Sequence, residues 1–196
     1  MGGDGDLRIG VLALQGDVSE HVTAFEAALD ARSEHHAPVV AVRRAEDLAG
    51  LEGLAVPGGE STAISRLIDK NRMRRPLLEF GGGIFATCAG MVLAASEVHD
   101  PRVDPLGLIE MTIERNAFGR QRESFECDLP VNGLSHPFHA VFIRPPVASR
   151  IGPGARGLAV LEPGTVVVRK EPHLALSFHP ELGTDLRLHH LFLDGL

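Results

Sequence analysis

Three residues from two distant stretches of the chain have the types and surroundings for joint chemistry: Cys88, and His179 with Glu181. Cys88 lies in the stretch ATCAG (86–90), after the apolar run GGGIF and at the head of CAGMVLAAS. Strand, tight turn, nucleophile, helix is the order of a nucleophile elbow, whose turn strains the nucleophile's backbone and needs small neighbours. Ala86 and Gly90, two residues to either side, are small. Amide N–H groups at the start of the next helix favour a thiolate and an oxyanion. An inert buried cysteine fits the same local sequence, so its partners must decide.

A thiol nucleophile needs a base, and the base needs an orienting group. FHPEL follows the strand-like LALSF and offers His179 with Glu181 two residues on. At a strand end this spacing brings both side chains toward one site. His179 then takes the thiol proton and Glu181 fixes the ring. The other histidines carry no such partner in sequence. His21, His35, His36, His189 and His190 fall in helix-like or loop segments and read as facing solvent. PGGES (57–61) ends an apolar run with two glycines, which let backbone N–H groups approach a ligand and complete an oxyanion hole. Taken alone, that loop is better explained as an ordinary strand-to-helix turn.

The elements that must position these residues alternate in the first half. RIGVLAL (8–14) is a short apolar run, as in a strand buried on both faces. Asp17 and Glu20 make a capping-box-like start to a helix whose Val22, Phe25, Ala28 and Leu29 share a face. VVAV (39–42) is a second strand, AEDLAGL a short helical piece, GLAVPGG a third strand and STAISRLIDKN a helix. GIFAT is a fourth strand and CAGMVLAAS its following helix. Strand–helix alternation predicts a parallel sheet covered by helices. The second half changes character. LGLIEMTIER, SFECDLPV, FHAVFIR, LAVLEP and TVVVRK predict added mixed or antiparallel strands, and HLALSFHPEL one more strand. RPPVASRIGPGARG (144–157) reads as a loop. TDLRLHHLFLDGL closes as a helix that buries Leu186, Leu188, Leu191 and Leu193. The expectation is one α/β domain over residues 1–196, with a mostly parallel central sheet flanked by helices.

Composition narrows the function. A net charge of −7 disfavours a nucleic-acid binder, which needs a basic face. The ten histidines show neither C-x-x-C nor H-E-x-x-H spacing, so no metal site is expected. Two cysteines, Cys88 and Cys127, are too few for a disulfide framework and suit a reducing, cytoplasmic compartment. No apolar run of about 18 residues is present, so no membrane span is expected.

In order and spacing, LALQGDVSEH, PGGEST, TCAG, ERNAFGRQRESFE, FIRPP and SFHPEL resemble the class I, triad-type glutamine amidotransferases. Within that class they resemble the glutaminase subunits of pyridoxal 5′-phosphate synthase. The blocks run from about Leu12 to Leu182. The resemblance implies a flavodoxin-like α/β fold and hydrolysis of L-glutamine to glutamate and ammonia, without a cofactor. It implies Cys88 as nucleophile, His179 as base and Glu181 as its orienting group. It also implies backbone N–H groups of Gly59 and Ala89 as oxyanion donors. Glutamine would be held at Gly59, Glu60, Ser61, Arg115, Ile143 and Arg144. Ammonia would pass to a separate (β/α)8-barrel synthase subunit docking on QGDVSEH, with the Gln15–Gly16 turn adjusting on activation. The family has glycine where this chain has Ala86. A glutaminase of another pathway, a cysteine peptidase or γ-glutamyl hydrolase on the same fold, and a non-catalytic binding module are the competing readings.

Overall fold

A computed structural model describes residues 7–32, 38–115, 117–119 and 123–196. His35, His36 and, within the RNAFGRQ block, Asn116, Arg120 and Gln121 lie outside the described residues.

Twelve strands are described: β1 (Ile9–Leu12), β2 (Val40–Val42), β3 (Gly53–Val56), β4 (Gly83–Thr87), β5 (Ala95–Val98), β6 (Ile109–Glu114), β7 (Ser124–Leu129), β8 (Phe138–Ile143), β9 (Val147–Ile151), β10 (Arg156–Leu161), β11 (Gly164–Lys170) and β12 (His173–Leu176). The helices are α1 (Val18–Asp30), α2 (Ser61–Lys70), α3 (Arg74–Leu78), α4 (Ala89–Ala94) and α5 (Arg187–Leu193), with single 3-10 turns at Ala45–Leu48 and Pro180–Leu182. The main sheet runs β2-β1-β3-β4-β12-β11-β9-β6-β5, with β10 added on β11. The five strands from β2 to β12 are parallel. β11 then pairs antiparallel with β12, β9 and β10. β7 and β8 form a separate antiparallel pair.

Period-2 alternation puts Leu54 and Val56 on one face of β3 and Ala55 on the other. Both faces are apolar, because helices cover both. α2 and α4 bring Ile64, Ile68 and Met91 to the first face. α1 and α5 bring Phe25, Ala28, Leu188 and Phe192 to the second.

Three expectations change. The stretch 144–157 is not all loop. Prolines and glycines flank β9, which pairs with β6 and touches β11. The helix after Cys88 stops at Ala94. Ala95–Val98 pairs with β6 instead, with Ser96 Oγ bonded to the Met111 backbone, so tertiary pairing overrides alanine's helix preference. A short helix that the sequence reading does not assign, α3, has Pro76 in its first turn, where proline is tolerated. Asp17 is the N-cap of α1 but its carboxylate makes no capping bond.

Two histidines correct the expectation of solvent exposure. His21 and His189 are both fully buried, and His190 is half-buried. His189 stacks on Phe85 at 5.0 Å and meets the edge of Phe25 at 5.0 Å. Neither of its ring nitrogens has a hydrogen-bond partner among the described residues. Burial, with His21 nearby, pushes its pKa down to about 3. A histidine depressed in the fold stabilises above its unfolded value of about 6.5, and that stability is lost as pH falls from there toward about 3. His189→Phe keeps an aromatic ring and removes the two orphan nitrogens. It is expected to raise thermal stability, and by about 2 kcal/mol more at pH 5 than at pH 8, since a pKa unit is about 1.4 kcal/mol. Denaturant titrations at both pH values measure this. An equal effect at the two would mean that His189 does not titrate on unfolding.

Candidate active site

The parallel strands deliver the site residues at their C-terminal ends, where open α/β sheets bind ligands. β4 ends in Thr87, and Cys88 follows with φ 49° and ψ −106°. Few L-residues adopt that conformation, which costs about 1–3 kcal/mol and persists only where neighbours enforce it. Here Cys88 N–H donates to Leu176 O of β12 (2.8 Å), and α4 starts at the next residue. A Cβ on Gly90 would lie 2.0 Å from Val56 O, so only glycine lets α4 close onto β3. The elbow forms with Ala86 in place, fully buried in register with Val56 and Ala175.

β12 leads to His179, whose N–H donates to Val141 O of β8 (3.0 Å). The ring's Nδ1 is 2.7 Å from Glu181 Oε1, and the Cys88 sulfur, 3.8 Å from the Ile143 backbone oxygen, interacts electrostatically with the same ring. With Nδ1 on the carboxylate, Nε2 is left for the sulfur. His179 and Glu181 are both buried. Burial pushes the ring's pKa down, but the hydrogen bonds and charges of Cys88 and Glu181 outweigh it and raise it to about 10. Burial raises the Glu181 carboxyl, but the His179 hydrogen bond, the charges of His21 and His179 and a backbone hydrogen bond together outweigh it, leaving that pKa lowered. The pair is therefore an imidazolium beside a carboxylate at neutral pH, which puts a proton donor at the nucleophile.

A cavity of about 420 Å³ opens over Cys88 and His179. Gly59 and Ala89 line it, as do Glu60, Ser61, Arg115, Ile143 and Arg144. Gln15 also lines it, and its Oε1 accepts from Glu60 N–H (3.1 Å), tying the Gln15 turn to the Gly59 turn. Gly16 lies under that turn, with φ 108°. Glu60 has a job beyond the cavity. As N-cap of α2 it accepts from the N–H of Thr62 (3.2 Å) and Ala63 (2.8 Å), and it sits 3.4 Å from Arg115 Nη2. Asp100 grips the other arm of Arg115. A larger cavity, about 660 Å³, lies at the opposite end of the strands around Glu52, Gly82 and Pro172. It brings no nucleophile and base together.

Asp17 was not expected in the site. It lines the cavity, with Oδ2 3.4 Å from His179 Nδ1, which explains the missing helix cap. Asp17, His179 and Glu181 each bring a metal-ligand atom within 4.8 Å of the others. The His179 Nδ1 is already engaged by Glu181, so the group reads as an imidazole between two carboxylates rather than a metal centre.

Residues 11–196 match the SNO glutamine amidotransferase family. The chain belongs to that family. It is 62% identical to the pyridoxal 5′-phosphate synthase subunit PdxT of Methanosphaerula palustris over 191 residues, covering 97% of this chain and 98% of that one. It is 45% identical to the PdxT of Shouchella clausii over 190 residues, covering 95% and 94%. A crystal structure described as a glutamine amidotransferase superposes with a TM-score of 0.86 at 46% identity, over 95% of this chain and 97% of the other. A putative GMP synthase protein from Thermoplasma acidophilum shares the fold, with a TM-score of 0.66 at 14% identity over 98% and 94%. The fold is thus that of the glutamine amidotransferases. No helix among the described residues is long and apolar enough to cross a membrane.

Proposed function

We propose that the chain is the glutaminase subunit of pyridoxal 5′-phosphate synthase, with Cys88, His179 and Glu181 as its triad. The observation that carries the reading is the His179–Glu181 bond of 2.7 Å behind a cavity that His179 lines together with a cysteine held at φ 49°. The Cys88 thiolate adds to the side-chain amide carbon of L-glutamine. N–H groups of Gly59 and Ala89 receive the oxyanion. His179 gives its proton to the amide nitrogen, the C–N bond breaks, and ammonia leaves a γ-glutamyl thioester. His179, now neutral, takes a proton from water as its oxygen attacks the thioester. Glutamate departs and the thiolate returns. Arg115, fixed by Asp100, and Arg144 suit the substrate's carboxylate. Glu60 suits its ammonium, and Ser61 and Ile143 complete the pocket wall.

Ammonia goes to a (β/α)8-barrel synthase subunit in the cytoplasm. The high identity to PdxT chains supports that partner. The docking face is the one that includes QGDVSEH. There α1 borders a groove of about 410 Å³ whose lining includes Ser19, Glu20, Thr23 and Glu181. Mixing the chain with L-glutamine, with and without the synthase partner, and assaying glutamate tests the function. Glutamate release that rises with the partner is expected. No release in either condition would overturn it.

The two supporting triad members should separate kinetically. His179→Ala removes the proton carrier and is expected to cost about 10³-fold or more in kcat. Glu181→Gln removes only the orienting charge and should cost less, about 10–10²-fold. Steady-state kinetics of the two complexes decide it. A fully active His179→Ala would sink the triad.

A further inference from the structure

The triad has a fourth buried polar neighbour that the mechanism above does not use. His21 projects from α1 and is fully buried. Its Nε2 lies 2.9 Å from Thr87 Oγ1 and 3.5 Å from Glu181 Oε1. Thr87 is the residue before the nucleophile, and Glu181 Oε1 is the oxygen that holds His179. One ring nitrogen therefore lies between the Thr87 hydroxyl and the carboxylate that orients His179. The other nitrogen, Nδ1, meets no partner among the described residues, and neither does Glu181 Oε2. A proton on Nδ1 would be a buried orphan donor, which is costly. The proton belongs on Nε2, where Thr87 Oγ1 accepts it at 2.9 Å and the charge of Glu181 Oε1 lies 3.5 Å away. Burial lowers the pKa of His21 against the pull of Glu181, so the ring is neutral. It offers Glu181 a dipole without a second positive charge that would compete with the His179 imidazolium.

Resting on the glutaminase reading, we propose that His21 is a positioning residue of this site: its Nε2–H fixes the Glu181 carboxylate so that Oε1 faces His179. Without it, Glu181 would keep one strong hydrogen bond in a buried site and could swing its unpartnered oxygen toward the ring. α1 also carries Ser19, Glu20 and Thr23 along the groove that reaches Glu181. The helix that presents the docking face thus holds the triad's orienting group by a direct contact.

The test uses two substitutions that differ only in where they put a donor. The amide nitrogen of Gln overlays Nε2 of a histidine, and that of Asn overlays Nδ1. His21→Gln is expected to keep kcat for glutamine within about threefold of wild type, while His21→Asn loses about tenfold or more, with KM within about twofold in both. Rates are measured on the complex with the synthase partner and scaled to the folded fraction from thermal unfolding. Thr87→Val should stay within about threefold of wild-type kcat, because the Glu181 contact survives. Equal kcat for the Gln and Asn variants would overturn the proposal, as both are buried amides and a merely structural role would not separate them. A Thr87→Val loss equal to that of His21→Asn would overturn it too, by assigning the effect to the elbow. A wild-type complex that releases no glutamate would instead overturn the glutaminase reading beneath it.

Discussion

Cys88→Ser in the assembled complex should release no glutamate above background, a loss of about 10³-fold or more, with the fold intact. Serine keeps the size of the side chain and can occupy the same strained elbow, since the strain is imposed by β4, β12 and α4 rather than by sulfur. It lacks a group that ionises beside the His179 imidazolium. Cys127→Ser supplies the control. Cys127 lies mid-strand in β7, half-buried, in register with Ala140 and outside the catalytic cavity. Its variant should keep wild-type kcat/KM. Glutamate assays on both variants, with circular dichroism for the fold, settle the assignment. An inactive Cys127→Ser beside an active Cys88→Ser would reverse it.

The pH dependence of stability follows from the same pair. His179 is raised in the fold, so its contribution is complete below about 6.5 and is lost as pH climbs through about 10. Glu181 is lowered, so its contribution holds above its unfolded value of about 4.3 and is lost on acidification. His21 and His189 are lowered as well, and they begin to work against the fold already below about pH 6.5.

Much of this is legible in the sequence, for reasons that can be named. The parallel half announces itself because each strand is an apolar run closed by glycine or by a helix start, as at Gly58–Gly59 before Ser61. Cys88 can be read because an elbow constrains the residues on both sides of it. His179 and Glu181 can be read because their link is local. What escapes depends on contacts between distant segments. β5 (ASEV) runs straight on from α4 and becomes strand only by meeting β6, and β9 is a five-residue strand hidden among prolines and glycines. Asp17 reads in sequence as a helix cap, and only β12's position beside β4 shows that its carboxylate faces His179 instead. His21 is a different kind of miss. It stands four residues before Phe25 and seven before Ala28, on the stripe that α1 buries, so its burial follows from the helical period alone. Its polarity argues for solvent in the sequence, and the fold decides otherwise because Thr87 and Glu181 wait beneath the helix.

Gly16→Ala is expected to lower kcat/KM by about 10²-fold or more while the chain still folds. Gly16 has φ 108°, a conformation that L side chains rarely adopt, and a Cβ there would lie 1.8 Å from Gly58 O. A methyl group cannot approach a carbonyl oxygen so closely, and both sides of the contact are backbone. The two turns must therefore separate by more than an ångström. The Gly58 turn carries the Gly59 N–H proposed for the oxyanion, and the Gln15 turn runs on into Asp17 beside His179. The Gln15–Glu60 hydrogen bond that ties the turns would stretch as well. A misplacement of about 1 Å is enough to cost about 10²-fold in rate. The fold should survive, because Gln15 and Gly16 are exposed and α1 stays anchored through Phe25, Ala28 and Leu29. The strain itself should cost about 1–3 kcal/mol of stability. Gly154→Ala separates strain from displacement, since Gly154 has φ 80° but nothing within 4 Å of an added Cβ. That variant should share the backbone penalty and keep wild-type kinetics. If the synthase partner works by selecting the competent arrangement of these turns, Gly16→Ala should also blunt the rise in kcat/KM that the partner brings, because the selected state is no longer accessible. Kinetics with and without the partner, beside thermal unfolding of both variants, make the comparison, and a Gly16→Ala enzyme with wild-type kcat/KM would remove the Gln15–Gly16 turn from the catalytic machinery.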